Sequence, residues 1–167
     1  MALPQGAGVP EGCTGVRGGA TRSASVRAAL AAAPASETVV VHDAARPLAE
    51  PSLFTRTLAA LADAECAIAA APVTDTIKEA EGGVVTATLD RSRLWAVQTP
   101  QAFRRAALEH ALDVDDAILA RATDDAWLIE RAGGRVRVVE SSPANFKVTT
   151  PHDLRVAELL LRSRSSS

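Results

Sequence analysis

The sequence predicts an α/β domain built on a mainly parallel sheet. Two short apolar stretches, 38–41 and 66–73, have the length and β-branched or small apolar content of buried strands. Segments with helical periodicity and capping residues lie between and after them. Alternation of strands with helices is typical of the α/β class, and 167 residues are enough for one domain with a real core.

Helix boundaries follow from caps and prolines. Ser23 or Ser25 can cap a first helix that Pro34 ends, and Pro51 fits the first turn of a second helix that runs to about Ala64. The same signals predict four later helices, over 104–112, 115–121, from a cap at 123–125 to glycines at 133–134, and from 150–151 to Leu161.

The remaining segments fall into a strand, an arm and two ends. Residues 135–140 alternate as a strand, and residues 75–99 are predicted to form a hairpin or arm around the Gly82-Gly83 turn. Residues 1–17 are rich in Gly and Pro without periodicity, so we expect loop or disorder there. The domain itself is expected over 18–162, followed by a disordered tail at 163–167.

Bulk properties exclude several classes of partner. A net charge of −2 gives no basis for non-specific nucleic-acid binding. No apolar run reaches the ~18 residues of a membrane span, and the start of the chain lacks the features of a signal peptide. Cys13 and Cys66 have no partner at disulfide-motif or metal spacing, which indicates thiols in a reducing cytoplasm.

Two polar motifs follow the predicted strands. His42-Asp43 and Arg46 come directly after 38–41, where ligands of open α/β sheets bind, and an acid with a base suits a metal-bridged phosphate. The alternative is a helix-capping Asp with a surface Arg. After 66–73, the carboxylate of Asp75, the hydroxyl of Thr76 and the lysine Lys78 can grip a phosphorylated polyol, or can form a solvated turn.

Three further segments carry candidate binding groups. Arg91 can contact a phosphate through two hydrogen bonds, and residues 98–101 place two amides before a predicted helix. Lys147 stands out because the chain nearly avoids Lys, and it can offset charge on transferring phosphates. Gly19 and Ser25, at the start of the first helix, can receive a base edge or an anion, or can be a plain cap.

Together and in this order, these five segments resemble the 2-C-methyl-D-erythritol 4-phosphate cytidylyltransferase family. The resemblance runs from about Gly18 to Leu161. It implies a Rossmann-like sheet of the nucleotidyltransferase type with a protruding β-arm. It also implies the reaction of CTP with methylerythritol 4-phosphate to the CDP-alcohol and pyrophosphate, with Mg²⁺, in non-mevalonate isoprenoid synthesis.

Site residues are carried over by position from the same resemblance. It implies catalytic roles near the reacting phosphates for Asp43 and Lys147, with Asp43 also the metal ligand. The arm implies a homodimer in which each arm reaches the neighbouring subunit's site. The resemblance also implies that Arg46, Thr76 and Arg91 contact the substrate. It implies that Gly19 and Ser25 contact the nucleotide.

Residues 1–17 depart from the family pattern. The family opens with a strand and a Gly-rich loop carrying Arg and then Lys, which wraps the triphosphate, and Gln5-Gly6-Ala7-Gly8 is a faint echo of it. We therefore expect a sheet that lacks the N-terminal strands and exposes an apolar edge. We also expect little or no transferase activity from the isolated chain, as for a misplaced start codon or a gene fragment.

Two other functions compete with this interpretation. A pentitol-phosphate cytidylyltransferase, for example one acting on ribitol 5-phosphate, shares Asp43-type and Lys147-type motifs. A non-catalytic module that dimerises through its arm with a full-length paralogue would keep the arm and lack the phosphate loop.

Overall fold

The structure, a computed structural model, describes residues 1–165. Within them lie eight strands and six α-helices. In chain order they are β1 (Ala2–Leu3), β2 (Val16–Arg17), α1 (Arg22–Ala32), β3 (Thr38–Val41), α2 (Pro51–Ala59), β4 (Cys66–Pro72), β5 (Lys78–Glu81), β6 (Val84–Thr88), β7 (Trp95–Arg104), α3 (Arg105–Leu112), α4 (Asp116–Arg121), α5 (Asp125–Arg131), β8 (Val136–Glu140) and α6 (Pro151–Ser165).

A four-stranded sheet forms the centre, in the order β3-β7-β4-β8. β4 pairs in parallel with β8, while β7 runs antiparallel to both β3 and β4. Three of the four strands therefore point the same way, which confirms a mainly parallel α/β sheet. The reversed strand β7 lies between two of them, and the sequence pattern did not indicate this.

Helices cover both faces of the sheet. On one face Ile68 and Phe103 pack into a core with Leu30 and Leu108 from α1 and α3, to which α4 and α5 also contribute. On the other face Ala67 and Ala102 meet Leu61, from the 3-10 turn that follows α2. Side chains alternate across a strand, so β4 and β7 supply large groups to one layer and alanines to the other, whereas β3 and β8 supply valines to both.

The arm is shorter than predicted. Its hairpin consists of β5 and β6 joined by Gly82 and Gly83, whose φ values of 56° and 82° suit a tight turn that L side chains rarely adopt. Trp95–Thr99, predicted as part of the arm, instead begins β7 in the central sheet. The hairpin itself is exposed, with Val84 69% and Val85 57% accessible.

Residues 98–101 lie buried within β7 and not, as predicted, at the N-terminus of the following helix, which begins at Arg105. Ile68 pairs with Gln101 and Ala70 pairs with Val97, so residues 98–100 face the single residue Ala69 of β4. This bulge accommodates Pro100, a residue that normally argues against a central strand. It also turns polar groups of β7 toward neighbouring loops.

Both ends differ from prediction. β1 and β2 pair in parallel within the segment predicted to be loop or disorder, held by hydrogen bonds from Val16 N–H to Met1 O and from Gly18 N–H to Leu3 O, each 2.9 Å. Strands of two residues are too short for a periodicity to reveal. α6 continues to Ser165, past the predicted start of the tail, and residues 166–167 lie outside the described part.

β3 forms one edge of the central sheet. Val39, Val40 and Val41 are only partly buried and line a cavity of about 790 Å³ between β3 and α1. This agrees with the expectation of an apolar edge. Among the described residues, none of the helices is long and apolar enough to cross a membrane.

Candidate functional site

The loop after β3 presents Asp43 to three positive side chains. Lys147 Nζ lies 3.1 Å from Asp43 Oδ2, and Arg46 Nε lies 3.7 Å from the same oxygen. Arg22 Nε lies 3.7 Å from Asp43 Oδ1. The structure therefore brings together three residues predicted from sequence, Asp43, Arg46 and Lys147, and adds Arg22, which sequence analysis missed.

These charges control the ionisation of Asp43. Burial by itself would raise the pKa of this carboxyl, because a low-dielectric environment disfavours charge. The hydrogen bond and charge of Lys147, with the charges of Arg22 and Arg46, outweigh burial, and the pKa lies below its ordinary value. Asp43 is thus a carboxylate at neutral pH.

Backbone hydrogen bonds hold the loop in place. Asp43 N–H donates to Thr99 Oγ1 at 2.9 Å, and Arg46 N–H donates to Asp43 O at 2.9 Å, closing a turn. Val148 N–H donates to Ala45 O at 2.8 Å, which fixes the segment that carries the lysine beside the loop that carries the carboxylate. The ion cluster therefore rests on main-chain contacts between three segments distant in sequence.

The hydrogen-bond pattern defines the tautomer of His42. Arg46 O can only accept, so His42 Nε2 carries the ring proton and donates to it at 3.3 Å. In the neutral ring Nδ1 is then the acceptor, and the Thr99 hydroxyl, 3.0 Å away, donates to it while accepting from Asp43 N–H. The ring also packs at 5.0 Å against that of Phe54, and burial lowers the pKa of His42. His42 is therefore a neutral spacer within the loop.

Asn145 links the lysine segment to β7. It is 4% exposed, and its Nδ2 donates to Gln98 Oε1 at 2.8 Å and to Thr99 O at 2.9 Å. Arg46 Nη1 donates to Asn145 O at 2.8 Å. Sequence analysis gave Asn145 no role. Its position two residues before Lys147, in a strand-to-helix connection, is the signal that could have indicated one.

The Gly19–Ser25 segment forms the entry to α1. The cap is Thr21, whose Oγ1 accepts from Ala24 N–H at 3.1 Å, rather than the predicted Ser23 or Ser25. Ser25 Oγ instead accepts from Gly19 N–H at 3.0 Å. Thr21 lies two residues before Ser23 and four before Ser25 and has the same capping chemistry, so sequence alone does not rank the three residues.

Ser25, Arg22 and Asp43 line the same cavity of about 790 Å³ beside β3. The predicted nucleotide segment and the predicted catalytic acid thus face one space. The cavity also has an apolar wall from β3, which is typical of ligand sites with a few polar groups at fixed positions.

Thr76 and Arg91 lie apart from this cluster. Thr76 is exposed in the connection between β4 and β5, and Arg91 follows β6 in a short 3-10 turn, where its guanidinium donates to Thr74 O. Within residues 1–165, neither forms a hydrogen bond or ion pair with Asp43. Their assignment as substrate contacts stays a prediction.

The donor set limits how a metal could bind. In residues 1–165 there is no group of three or more His, Cys, Asp or Glu side chains arranged to hold a metal ion. Asp43 offers one carboxylate. Mg²⁺ is commonly held by one or two protein carboxylates together with substrate phosphates and water, so Asp43 fits Mg²⁺ that is shared with a nucleotide.

A mixed sheet with a charged cluster beyond the end of β3 and a cavity of about 790 Å³ beside it is typical of an α/β enzyme of the nucleotidyltransferase type. The family model described as "IspD: 2-C-methyl-D-erythritol 4-phosphate cytidylyltransferase" matches residues 7–163. The chain belongs to this family.

Relatives and solved structures agree. The chain is 52% identical over 153 residues to the 2-C-methyl-D-erythritol 4-phosphate cytidylyltransferase of Parasynechococcus marenigrum, covering 90% of this chain and 68% of the relative. The crystal structure of the Thermus thermophilus cytidylyltransferase superposes with a TM-score of 0.86 at 40% identity, covering 96% of this chain and 80% of that one. The crystal structure of the 4-diphosphocytidyl-2C-methyl-D-erythritol synthase of Anaerococcus prevotii superposes with a TM-score of 0.80 at 33% identity, covering 89% of this chain and 70% of that one.

The close approach at Gly19 predicts a steric requirement. A Cβ there would lie 2.5 Å from Ala24 Cβ and 2.9 Å from Ala24 C, and the backbone of α1 cannot yield cheaply. We expect Gly19→Ala to lower the free energy of unfolding by about 1–3 kcal/mol, measured by urea denaturation. Gly8→Ala is the control, because a Cβ at Gly8 meets nothing within 4 Å. Equal stability of the two variants would contradict the steric requirement for glycine at position 19.

The lowered pKa of His42 predicts a pH dependence of stability. In the unfolded chain His42 binds a proton with a pKa near the ordinary value of 6.5. In the folded chain burial lowers this pKa, although the charge of Asp43 opposes the effect. The stabilisation is therefore complete above that value and is lost as pH falls below it.

The test compares urea unfolding at about pH 7.5 and pH 5 in the wild type and in His42→Asn, whose Oδ1 can replace Nδ1 as an acceptor. The wild type should lose more stability on acidification than the variant. His152→Asn, at an exposed position of α6, should behave as the wild type. An unchanged acid response in His42→Asn would disprove the assignment.

Proposed function

We propose that this chain provides the site for cytidylyl transfer from CTP to 2-C-methyl-D-erythritol 4-phosphate, giving 4-diphosphocytidyl-2-C-methyl-D-erythritol and pyrophosphate. The observation that carries the proposal is the cluster of Arg22, Arg46 and Lys147 around Asp43, of which Arg22 and Asp43 line the same cavity as Ser25. The relatives that match over most of this chain bear the name of that activity.

The reaction needs positioning and positive charge. The phosphate oxygen of the alcohol attacks the α-phosphorus of CTP in line, a new P–O bond forms, and the bond to the β-phosphate breaks, with pyrophosphate as leaving group. Negative charge accumulates on the phosphates, and fixed cations stabilise it without reorganisation. Lys147, 44% exposed and anchored to Asp43, is the cation best placed to meet an incoming phosphate.

Mg²⁺ would be held by Asp43 together with nucleotide phosphates, and when bound it would supply charge neutralisation to them. Asp43 and its surrounding cations would orient this end of the site whether or not ligand is present. Gly19 and Ser25 would receive the cytosine.

The identity of the alcohol is tested by direct competition. Turnover with CTP and Mg²⁺ is measured with methylerythritol 4-phosphate and with ribitol 5-phosphate, alongside calorimetric binding of each. Preference for the methylerythritol ester supports the proposal. Binding or turnover of only the ribitol ester would replace it with the pentitol-phosphate function.

We place the enzyme in the cytoplasm. Cys13 and Cys66 are both free thiols, the first exposed and the second buried, as is usual where the environment is reducing.

Substitution of Lys147 tests its role. Lys147→Gln removes the charge near the incoming phosphate and should weaken calorimetric binding of the alcohol phosphate or of CTP by about 10- to 100-fold, the range of a charged hydrogen bond. The control is Arg27→Gln, which removes an equal positive charge from an exposed ion pair with Asp116, and Arg27 does not line the cavity. Equal affinity in the two variants would rule out phosphate contact by Lys147.

We also propose that the hairpin of β5 and β6 forms a homodimer, in which Thr76 and Arg91 would serve the partner's site. The support is its exposed apolar surface at Val84 and Val85. Sedimentation should show a dimer that Val84→Glu dissociates, whereas Leu159→Glu, at a similarly exposed position of α6, should leave it intact. A wild-type monomer at all concentrations would refute the proposal.

A further inference from the structure

Asp125 is a buried carboxylate outside the residues that resemblance selects. It lies in the first turn of α5, with 0% of its side chain exposed. The preceding residue, Asp124, caps the helix by accepting from Trp127 N–H at 2.8 Å, so the cap does not require Asp125. A buried carboxylate is costly unless it is paired, and its partner is therefore informative.

The partner of Asp125 is Arg22. Arg22 Nη1 lies 2.5 Å from Asp125 Oδ2, while Nε of the same guanidinium lies 3.7 Å from Asp43 Oδ1. One planar cation thus contacts a buried acid on one side and the site carboxylate on the other. Asp125 is 103 residues from Arg22 in sequence, so only the folded structure creates this arrangement.

We propose that Asp125 is a positioning residue of the site. It holds the Arg22 guanidinium in place, and Arg22 in turn fixes the orientation of the Asp43 carboxylate beside the cavity. The use of Asp43 in transfer rests on the function proposed above, but the contact between Asp125 and Arg22 does not. Arginine suits this task because its fork of donors is planar and always charged. A lysine at position 22 would offer a point charge, which cannot span both acids in the same way.

A second ion pair of α1 shows what a surface contact looks like. Arg27 pairs with Asp116 at 2.8 Å, but Asp116 is 85% exposed and Arg27 is 44% exposed. Exposed pairs contribute little, because water screens them and the side chains lose freedom. In both pairs an arginine of α1 contacts an aspartate, so the two pairs form a matched comparison. Of the two pairs, only the one between Arg22 and Asp125 has a fully buried acid, and only its arginine also contacts Asp43.

The first experiment observes Arg22 directly, without any ligand. The ¹⁵N-resolved Nη–H signals of Arg22, whose Nη1 donates to Asp125, are assigned with Arg22→Lys, and their hydrogen exchange is measured in the wild type, Asp125→Asn and Asp116→Asn. We expect exchange about tenfold faster or more in Asp125→Asn, because a charged hydrogen bond is lost, and no change in Asp116→Asn. Equal exchange in all three proteins would overturn the proposal.

The second experiment is a double-mutant cycle on calorimetric CTP binding with Mg²⁺, using Asp125→Asn, Arg22→Gln and the double variant. If Asp125 acts through Arg22, each single variant should weaken binding about tenfold and the double variant no further. Additive losses would show that Asp125 acts by another route. Asp125→Glu keeps the charge and should restore part of the affinity, which a general loss of stability would not predict.

The two experiments separate failure of this inference from failure of the proposed function. If the wild type does not bind CTP but Asp125→Asn speeds the hydrogen exchange of Arg22, the proposed function is refuted and the positioning contact is supported. If Asp125→Asn does not fold, Asp125→Glu and Arg22→Lys still test the contact, since both keep the charges and change its geometry. Unchanged Arg22 exchange in Asp125→Glu together with unchanged CTP affinity in Arg22→Lys would then overturn it.

Discussion

The ionised carboxylate of Asp43 is the constraint on which the site depends. It stands half-buried at the end of β3, where a carboxylate is stable only if positive groups surround it. Those groups come from α1, from its own loop and from the loop before α6. Each of these segments must therefore be fixed relative to the others, and the buried bonds of Asn145 and Thr99 do this. The polar network is a consequence of the charge it surrounds.

Local signals predicted the elements well where propensity and burial agreed. Three consecutive valines gave the bounds of β3 without error, and prolines and caps placed α2 and α6 at their first residues. They failed at β7, because Gln98 and Gln101 are polar residues in buried positions and Pro100 breaks the expected pattern. Such a strand is stabilised by its neighbours, the bulge opposite Ala69 and the amide of Asn145, and none of these is visible within its own residues.

The same division holds for the site. Asp43 and Arg46 share one short loop, so a motif could indicate them, and the scarcity of lysine drew attention to Lys147. Contacts that cross the fold could not be predicted in this way. Thr99 is 56 residues from the backbone amide of Asp43 that it holds, and Arg22 had the appearance of an ordinary residue in a first helical turn. Tertiary structure alone shows that these residues support the cluster.

The balance of charge explains why the cluster suits an anion. Arg22, Arg46 and Lys147 face Asp43 and Asp125, which leaves one net positive charge at the end of β3. The two carboxylates hold the cations apart and oriented, so that an arriving phosphate meets donors already in position rather than flexible side chains. Without Asp43 the three cations would repel one another, and without the cations burial would raise the pKa of Asp43. A chain with an overall net charge of −2 thus concentrates positive charge where the proposed substrates are most negative.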